Sequence, residues 1–218
     1  MKLNKIKISI IVASFTFMGI TVGSLTSNHV NNNKLYNGKP LYSSSAMLMY
    51  DTSTPEKAIG ISDYVFVAKI NKVLRTEYRN RMQVETGIKQ YTTVSNPYTV
   101  YEINVIENIK GNLKTDEPIE FMQYGGINED GQSYTFMEGG ELLKNGDYYL
   151  LMVDTWGDQN GGTIETSDVN RIISLGDYYN QNSRSNLVSQ YKLAFKNQQI
   201  PDDLTTNEMS KFDINYQQ

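Results

Sequence analysis

The feature that most constrains the fold is a series of short apolar runs, each closed by turn residues. The clearest run covers residues 64–74, which begin as a continuous apolar stretch and end in alternation, as a strand does when it passes from a core to an edge. Further runs predict strands at residues 98–109, 119–124, 134–136, 148–153 and 169–174. Residues 75–96 between them are polar and charged, which is typical of either an extended hairpin or a mobile loop.

A helix is predicted on each side of the strands. Ser53 or Thr54 can cap a first turn that contains Pro55 and Glu56, and this helix ends near Gly60. Residues 183–198 carry an apolar stripe at helical spacing, formed by Leu187, Val188, Tyr191, Ala194 and Phe195. The pattern predicts a mainly β fold, a small five-stranded OB-like barrel with a short N-terminal helix and a C-terminal helix.

Three segments carry a resemblance to a known family. They are SDYVFVAKI at 62–70, VIENIKG at 105–111 and LLKNGDYYLLMV at 142–153. Over roughly residues 53–195 the chain resembles the cysteine-free netrin-like, or tissue-inhibitor-of-metalloproteinase-like, OB-fold secreted proteins of Gram-positive bacteria. The resemblance implies the fold and a tendency to bind other proteins. The animal inhibitors bind zinc through an N-terminal cysteine, which this chain lacks, so no functional residue carries over.

The first 27 residues have the features of an export signal. Lys2, Lys5 and Lys7 precede an uncharged, largely apolar run at 8–23, and small residues follow it. Cleavage after Gly23 and cleavage after Ser24 both fit. An uncleaved anchor is the alternative, although a membrane-spanning helix needs about 20 mostly apolar residues and this run is shorter. We therefore expect a secreted protein, or else a membrane-anchored one with its domain outside.

The composition of the exported part predicts three segments and indicates which classes of partner it can bind. Residues 28–52 are predicted to be a flexible arm, 53–198 the barrel domain and 199–218 a polar tail. Loss of residues 1–23 removes three lysines and no acidic residue, so the formal net charge of −4 becomes −7. An acidic surface argues against nucleic acid as a partner and leaves a protein or another envelope component.

The residue types present argue against most catalytic sites. The chain has no cysteine and one histidine, His29, which lies in the predicted arm. The usual zinc sets and the Ser-His and Cys-His pairs are therefore excluded. We expect an exported, non-enzymatic binding module without a cofactor. The alternatives are a secreted hydrolase that uses carboxylates alone and a membrane-anchored sensor or immunity-like ectodomain.

Three groups of residues are candidates for a site. Arg75, Arg79 and Arg81 form a basic stretch that either binds an acidic partner or is a solvated hairpin. Two aromatic groups can contact a ligand, Trp156 and the Tyr148-Tyr149 doublet. Trp156 alternatively closes one end of the barrel. In the doublet, strand alternation points one ring inward and one outward. A glycine-rich loop at 157–162 has oxygen-bearing side chains that could bind Ca²⁺, namely Asp154, Asp158, Asn160 and Glu165. The alternative is a plain turn.

Overall fold

The computed structural model of the chain describes residues 35–45, 49–87, 90–157, 162–176, 181–205 and 209–217. The predicted export signal and His29 therefore lie outside the described residues. The helices are α1 (Pro55–Ile61) and α2 (Gln181–Lys196). The strands are β1 (Leu35–Tyr36), β2 (Lys39–Ser44), β3 (Tyr64–Gly87), β4 (Gln90–Lys110), β5 (Ile119–Tyr124), β6 (Gly126–Ile127), β7 (Tyr134–Met137), β8 (Tyr148–Trp156), β9 (Thr163–Thr166) and β10 (Ile172–Gly176).

Five of these strands close into a barrel, which confirms the predicted mainly β, OB-like fold. β4 pairs antiparallel with both β3 and β5, β5 pairs parallel with β9, and β8 pairs antiparallel with both β9 and β3. The order in the ring is β8-β3-β4-β5-β9, and the pairing of β8 with β9 closes it.

The strand that closes the ring is not the one predicted. The sequence prediction placed a fifth barrel strand at 169–174, but β9 takes that position. Val169–Arg171 is a 3₁₀ turn capped by the Asp168 side chain, and β10 pairs with the start of β8 outside the ring. The prediction was wrong here because β9 has four residues and one apolar side chain, so its stability comes from its two ladders rather than from a visible apolar pattern.

Two apolar cores explain the continuous runs in β3 and β8. Phe66 and Ile70 of β3 point into the barrel, and the alternate residues Val65 and Val67 point outward against the helices. Both faces of these strands are thus buried, which is why their sequences do not alternate. Tyr101 fills the barrel interior together with residues from all five strands.

Both predicted helices are confirmed, and they cover the outer face of β3 and β8. Thr54 caps α1 by accepting a hydrogen bond from the Lys57 amide at 3.4 Å, and Val188, Tyr191 and Ala194 of α2 are buried. Gly60 leaves room for the chain leaving α2, since a Cβ there would lie 1.9 Å from the Gln199 carbonyl oxygen.

A second sheet and the C-terminal segment flank the barrel. The sheet has the order β1-β2-β7-β6, so the segment predicted to be a flexible arm contains a hairpin, turned by Asn37 and Gly38 with φ of 50° and 74°. The predicted polar tail also packs on the barrel, because the buried Ser210 donates its hydroxyl to the Gly162 carbonyl and its amide to the Tyr64 hydroxyl.

The longest hairpin projects from the barrel as a two-stranded ribbon. β3 pairs with β8 only through Lys69, and β4 pairs with β5 only from Thr99 onward. Between these limits β3 and β4 pair with each other as far as Gly87 and Gln90. We call residues 71–87 and 90–96 the ribbon. The sequence left a hairpin and a mobile loop open for this segment, and it is a hairpin.

No helix within the described ranges is long and apolar enough to span a membrane.

Candidate functional site at the base of the ribbon

A guanidinium in contact with two aromatic rings lies where the ribbon meets the barrel. The Cζ atom of Arg79 is 4.7 Å from the centroid of the Tyr98 ring and 4.7 Å from that of the Trp156 ring. Its Nη1 atom donates a hydrogen bond to Glu165 Oε2 at 2.6 Å. We call Tyr98, Trp156 and Glu165 the arginine slot. Such a site stabilises a planar cation by cation–π attraction to two rings and by an ion pair.

Strand pairing explains why these residues meet. Glu165 pairs with Asp154 of β8 and with Met122 of β5, and Trp156 pairs with Thr163 of β9. Because the neighbours of Glu165 in β9, Ile164 and Thr166, are buried, alternation places Glu165 on the outer face of the barrel. The slot is therefore built by three strands of the ring, β4, β8 and β9, and its occupant comes from the ribbon.

The slot is shielded from water, which shifts the pKa of its groups. Only 23% of the Arg79 side chain and 20% of the Glu165 side chain are exposed. Burial raises the pKa of the Glu165 carboxyl above its ordinary value, and Arg79 offsets part of that rise. Burial also raises the pKa of Tyr98, with the negative charge of Glu165 acting in the same direction. The ion pair is thus stronger than one on an open surface.

A ladder of ion pairs continues from the slot along the ribbon. Arg75 donates to both oxygens of Glu120 at 2.8 and 2.9 Å and to Glu77 at 2.7 Å. Glu77 Oε2 also lies 3.9 Å from Arg79 Nη2. The ladder Glu120–Arg75–Glu77–Arg79–Glu165 therefore ties the ribbon to β5 and β9. Its three carboxylates and two guanidinium groups leave a formal charge of −1.

The predicted basic stretch is consequently neutralised by the protein's own acids. Arg75 and Arg79 belong to the ladder, and Arg81 donates to Glu129 at 2.6 Å. The bonds from Arg75 lower the pKa of the Glu120 carboxyl, and those from Arg81 lower the pKa of Glu129. The structure therefore brings one of the three arginines, Arg79, into the slot and pairs the other two elsewhere.

The predicted aromatic residues fall in different places. Trp156 lies on the outer surface with 43% of the residue exposed, because alternation in β8 points Val153 and Thr155 inward instead. Tyr149 points into the barrel, where its hydroxyl accepts a hydrogen bond from the Lys144 amide. Tyr148 belongs to the opposite end of β8, roughly 26 Å from Trp156 along the strand, so the tyrosine doublet is no part of the slot.

The described residues among the predicted calcium ligands are paired with arginines instead. Asp154 accepts two hydrogen bonds from Arg171, both at 2.6 Å, and Glu165 accepts from Arg79. Asp158 and Asn160 lie outside the described residues. In the part of the chain that the structure describes, no three His, Cys, Asp or Glu side chains are grouped so that they could hold a metal ion.

A second feature, missed by the sequence prediction, is an apolar face on the ribbon. Met82 pairs across the strands with Val94, and Val84 pairs with Thr92, so these side chains share one face. Met82 is 57% exposed and Val94 is 41% exposed. Both line a groove of about 380 Å³, whose other residues include Tyr42 and Thr135 of the second sheet, Tyr124 of β5, and Asn128 and Asp130 from the segment between β6 and β7. The signal available in the sequence is the short apolar-polar alternation at 82–84.

The chain matches no protein-family model and no curated protein.

Proposed function

We propose that this chain is an exported, non-enzymatic binding module whose ribbon contacts a protein partner outside the cytoplasm. The observation that carries the proposal is the ribbon itself, a hairpin that leaves the barrel and presents an apolar face to a groove. The N-terminal basic and apolar segments of the sequence support export.

Exposed apolar side chains are concentrated on the hairpin. Among the described residues, 6 of the 14 large hydrophobic side chains that are exposed lie between residues 73 and 94. These are Val73, Leu74, Met82, Val84, Tyr91 and Val94, of which Met82, Val84 and Val94 share one face. A grouped set of exposed apolar residues, bordered by polar ones, is typical of a protein-binding surface, whereas single exposed residues are normal on any protein.

The ribbon also offers backbone groups to a partner. Across residues 71–87, and again across 91–96, no third strand of the described chain lies beside the hairpin. An edge of this kind can pair with an extended peptide, which gains main-chain hydrogen bonds while its alternate side chains enter a neighbouring groove. The groove beside Met82 and Val94 suits that mode of binding.

The ladder at the base holds this surface in place before a partner arrives. Arg75 and Arg79 connect the hairpin to Glu120 of β5 and to Glu165 of β9. A surface that is already ordered loses less conformational entropy on binding, so more of the contact energy appears as affinity. We therefore expect a partner to bind without large rearrangement of the barrel.

Charge defines the partner further. The exported part has a formal charge of −7 after cleavage, and Glu129 and Asp130 lie along the groove. A protein segment with apolar side chains and a basic residue complements this surface, and nucleic acid does not.

Capture of the partner from producing cells tests the proposal. The bait is the chain from residue 28 onward with a C-terminal tag, and the ribbon variant is Met82→Ser combined with Val94→Ser. The matched control is Leu193→Ser, because Leu193 of α2 is 60% exposed and lies outside the ribbon. We expect one enriched protein, reduced at least about tenfold by the ribbon variant, which corresponds to roughly 1.4 kcal/mol, and unchanged by the control.

Equal capture by all three baits would overturn the role of the ribbon. Turnover of a peptide or glycan by the purified chain, abolished by one carboxylate substitution, would overturn the non-enzymatic proposal.

A further inference from the structure

We propose that the arginine slot is a binding site for a guanidinium group, which Arg79 occupies in the free chain and which an arginine side chain of the partner takes over in the complex. The identity of the partner's group rests on the proposed function. The affinity of the slot for guanidinium does not, since it follows from the slot alone.

The geometry selects a planar, delocalised cation. The Tyr98 and Trp156 rings lie at the same distance from the Arg79 guanidinium, 4.7 Å from Cζ to each centroid. A guanidinium is flat and weakly hydrated, so it can contact aromatic rings while its N–H groups reach Glu165. An ammonium group is a compact, strongly hydrated charge and makes poorer use of the same walls.

Arg79 can move out of the slot while Tyr98, Trp156 and Glu165 stay in place. Tyr98 is held at the ring by a bridge to Gly125, and Trp156 and Glu165 belong to strands that pair with each other. Arg79 belongs to the ribbon, beside a bulge at which Asn80 has φ of 53° and the register with β4 shifts. Trp156 is 43% exposed, so the slot can be reached from solvent along that ring.

The formal charge of the ladder itself accommodates one additional cation. The ladder holds three carboxylates and two guanidinium groups, so a third guanidinium makes it neutral. Glu77 Oε2 is 3.9 Å from Arg79 Nη2 and can keep Arg79 paired after it leaves Glu165. Exchange therefore keeps one guanidinium on Glu165 and one on Glu77, and leaves no buried charge without a partner.

Tethering favours Arg79 over a small cation in solution. A side chain on the same molecule has an effective concentration in the millimolar range, so a free guanidinium compound must exceed that value to compete. A partner that binds the ribbon also gains a high local concentration for its arginine. This coupling makes the slot selective for an arginine presented on a bound protein.

The fluorescence of Trp156 provides a direct test, because it is the only tryptophan of the chain. Arg79→Ala vacates the slot, and Arg79→Gln vacates it while keeping a polar side chain. The probe is ethylguanidinium, with ethylammonium as the matched point charge. Arg81→Ala is the control variant, since Arg81 is paired with Glu129 rather than with the slot.

We expect ethylguanidinium to change the fluorescence of both Arg79 variants saturably, with half-saturation on the order of 1 mM, as a few favourable contacts provide. Ethylammonium should bind at least several-fold more weakly, and wild type and Arg81→Ala should show no saturable change in this range. The probe should also raise the melting temperature of the Arg79 variants, and adding Glu165→Gln should abolish both effects.

The absence of saturable binding in both Arg79 variants would overturn the proposal, as would an equal response of Arg81→Ala. Variants that stay unfolded in the presence of the probe would count against it too. If ethylguanidinium binds the Arg79 variants but the ribbon variant still captures the partner normally, the slot is a guanidinium site and the proposed function of the ribbon is overturned instead.

Discussion

Replacement of Arg79 by Met tests how much the slot stabilises the fold. Met keeps the apolar stem and removes the charge, so the loss isolates the guanidinium contacts. The two cation–π contacts contribute about 0.5–1 kcal/mol each. The ion pair to Glu165 is mostly shielded, and removal of its cation leaves a buried carboxylate at a cost of about 1–3 kcal/mol. We expect Arg79→Met to lower the free energy of unfolding by about 2–5 kcal/mol.

Arg81→Met is the matched comparison for that measurement. Arg79–Glu165 and Arg81–Glu129 are both Arg–Glu pairs at 2.6 Å, but the side chains of the second pair are 59% and 40% exposed. Solvent screens such a pair, so Arg81→Met should be close to neutral.

The assay is urea unfolding followed by circular dichroism, carried out as a double-mutant cycle with Glu165→Gln. A coupling energy of about 1–2 kcal/mol is expected for Arg79 and Glu165. Equal losses in Arg79→Met and Arg81→Met, or a coupling near zero, would refute the argument that burial decides the strength of the slot.

Three further perturbations test other parts of the account. Gly111→Ala should destabilise the fold by about 2 kcal/mol or more, measured by urea unfolding, because its φ is 78° and a Cβ would lie 2.2 Å from the Tyr64 ring. Tyr101→Phe should cost about 1–3 kcal/mol in the same assay, since the Leu143 amide loses its acceptor at 3.0 Å; a neutral effect of either variant would contradict the packing described. NMR titration should give Glu165 a carboxyl pKa above its ordinary value of 4.5, and a higher one in Arg79→Met. Because the folded-state pKa is raised, stability from this group should increase as the pH falls through that pKa towards 4.5 and decrease as the pH rises; the reverse slope in wild type relative to Glu165→Gln would contradict it.

The parts of the fold that bury apolar side chains could be predicted from sequence. Residues 64–74 and 148–153 have continuous apolar runs because both their faces are buried, and Thr54 with Pro55 marks the start of α1. The closing strand β9 could not be found in this way. Its four residues carry one apolar side chain, and its place in the ring depends on pairing with two strands distant in sequence.

The arginine slot, like β9, could not be predicted from local sequence patterns. From the sequence, Arg79, Trp156 and Glu165 are candidates for three unrelated roles, and Tyr98 is not a candidate. Pairing of β8 with β9 and the path of the ribbon bring the four together, and neither leaves a local pattern in the chain. The full length of the ribbon was also uncertain, because a hairpin that leaves the core has no buried face to impose alternation.

Photo-crosslinking from the ribbon identifies what this hairpin contacts on the cell. A photoreactive amino acid placed at Val84, and separately at Leu193 of α2, reports what each surface touches on producing cells; both side chains are exposed. The account predicts one dominant protein adduct from position 84 and none of that protein from position 193. The same adduct from both positions, or an adduct from 193 alone, would contradict the assignment of binding to the ribbon.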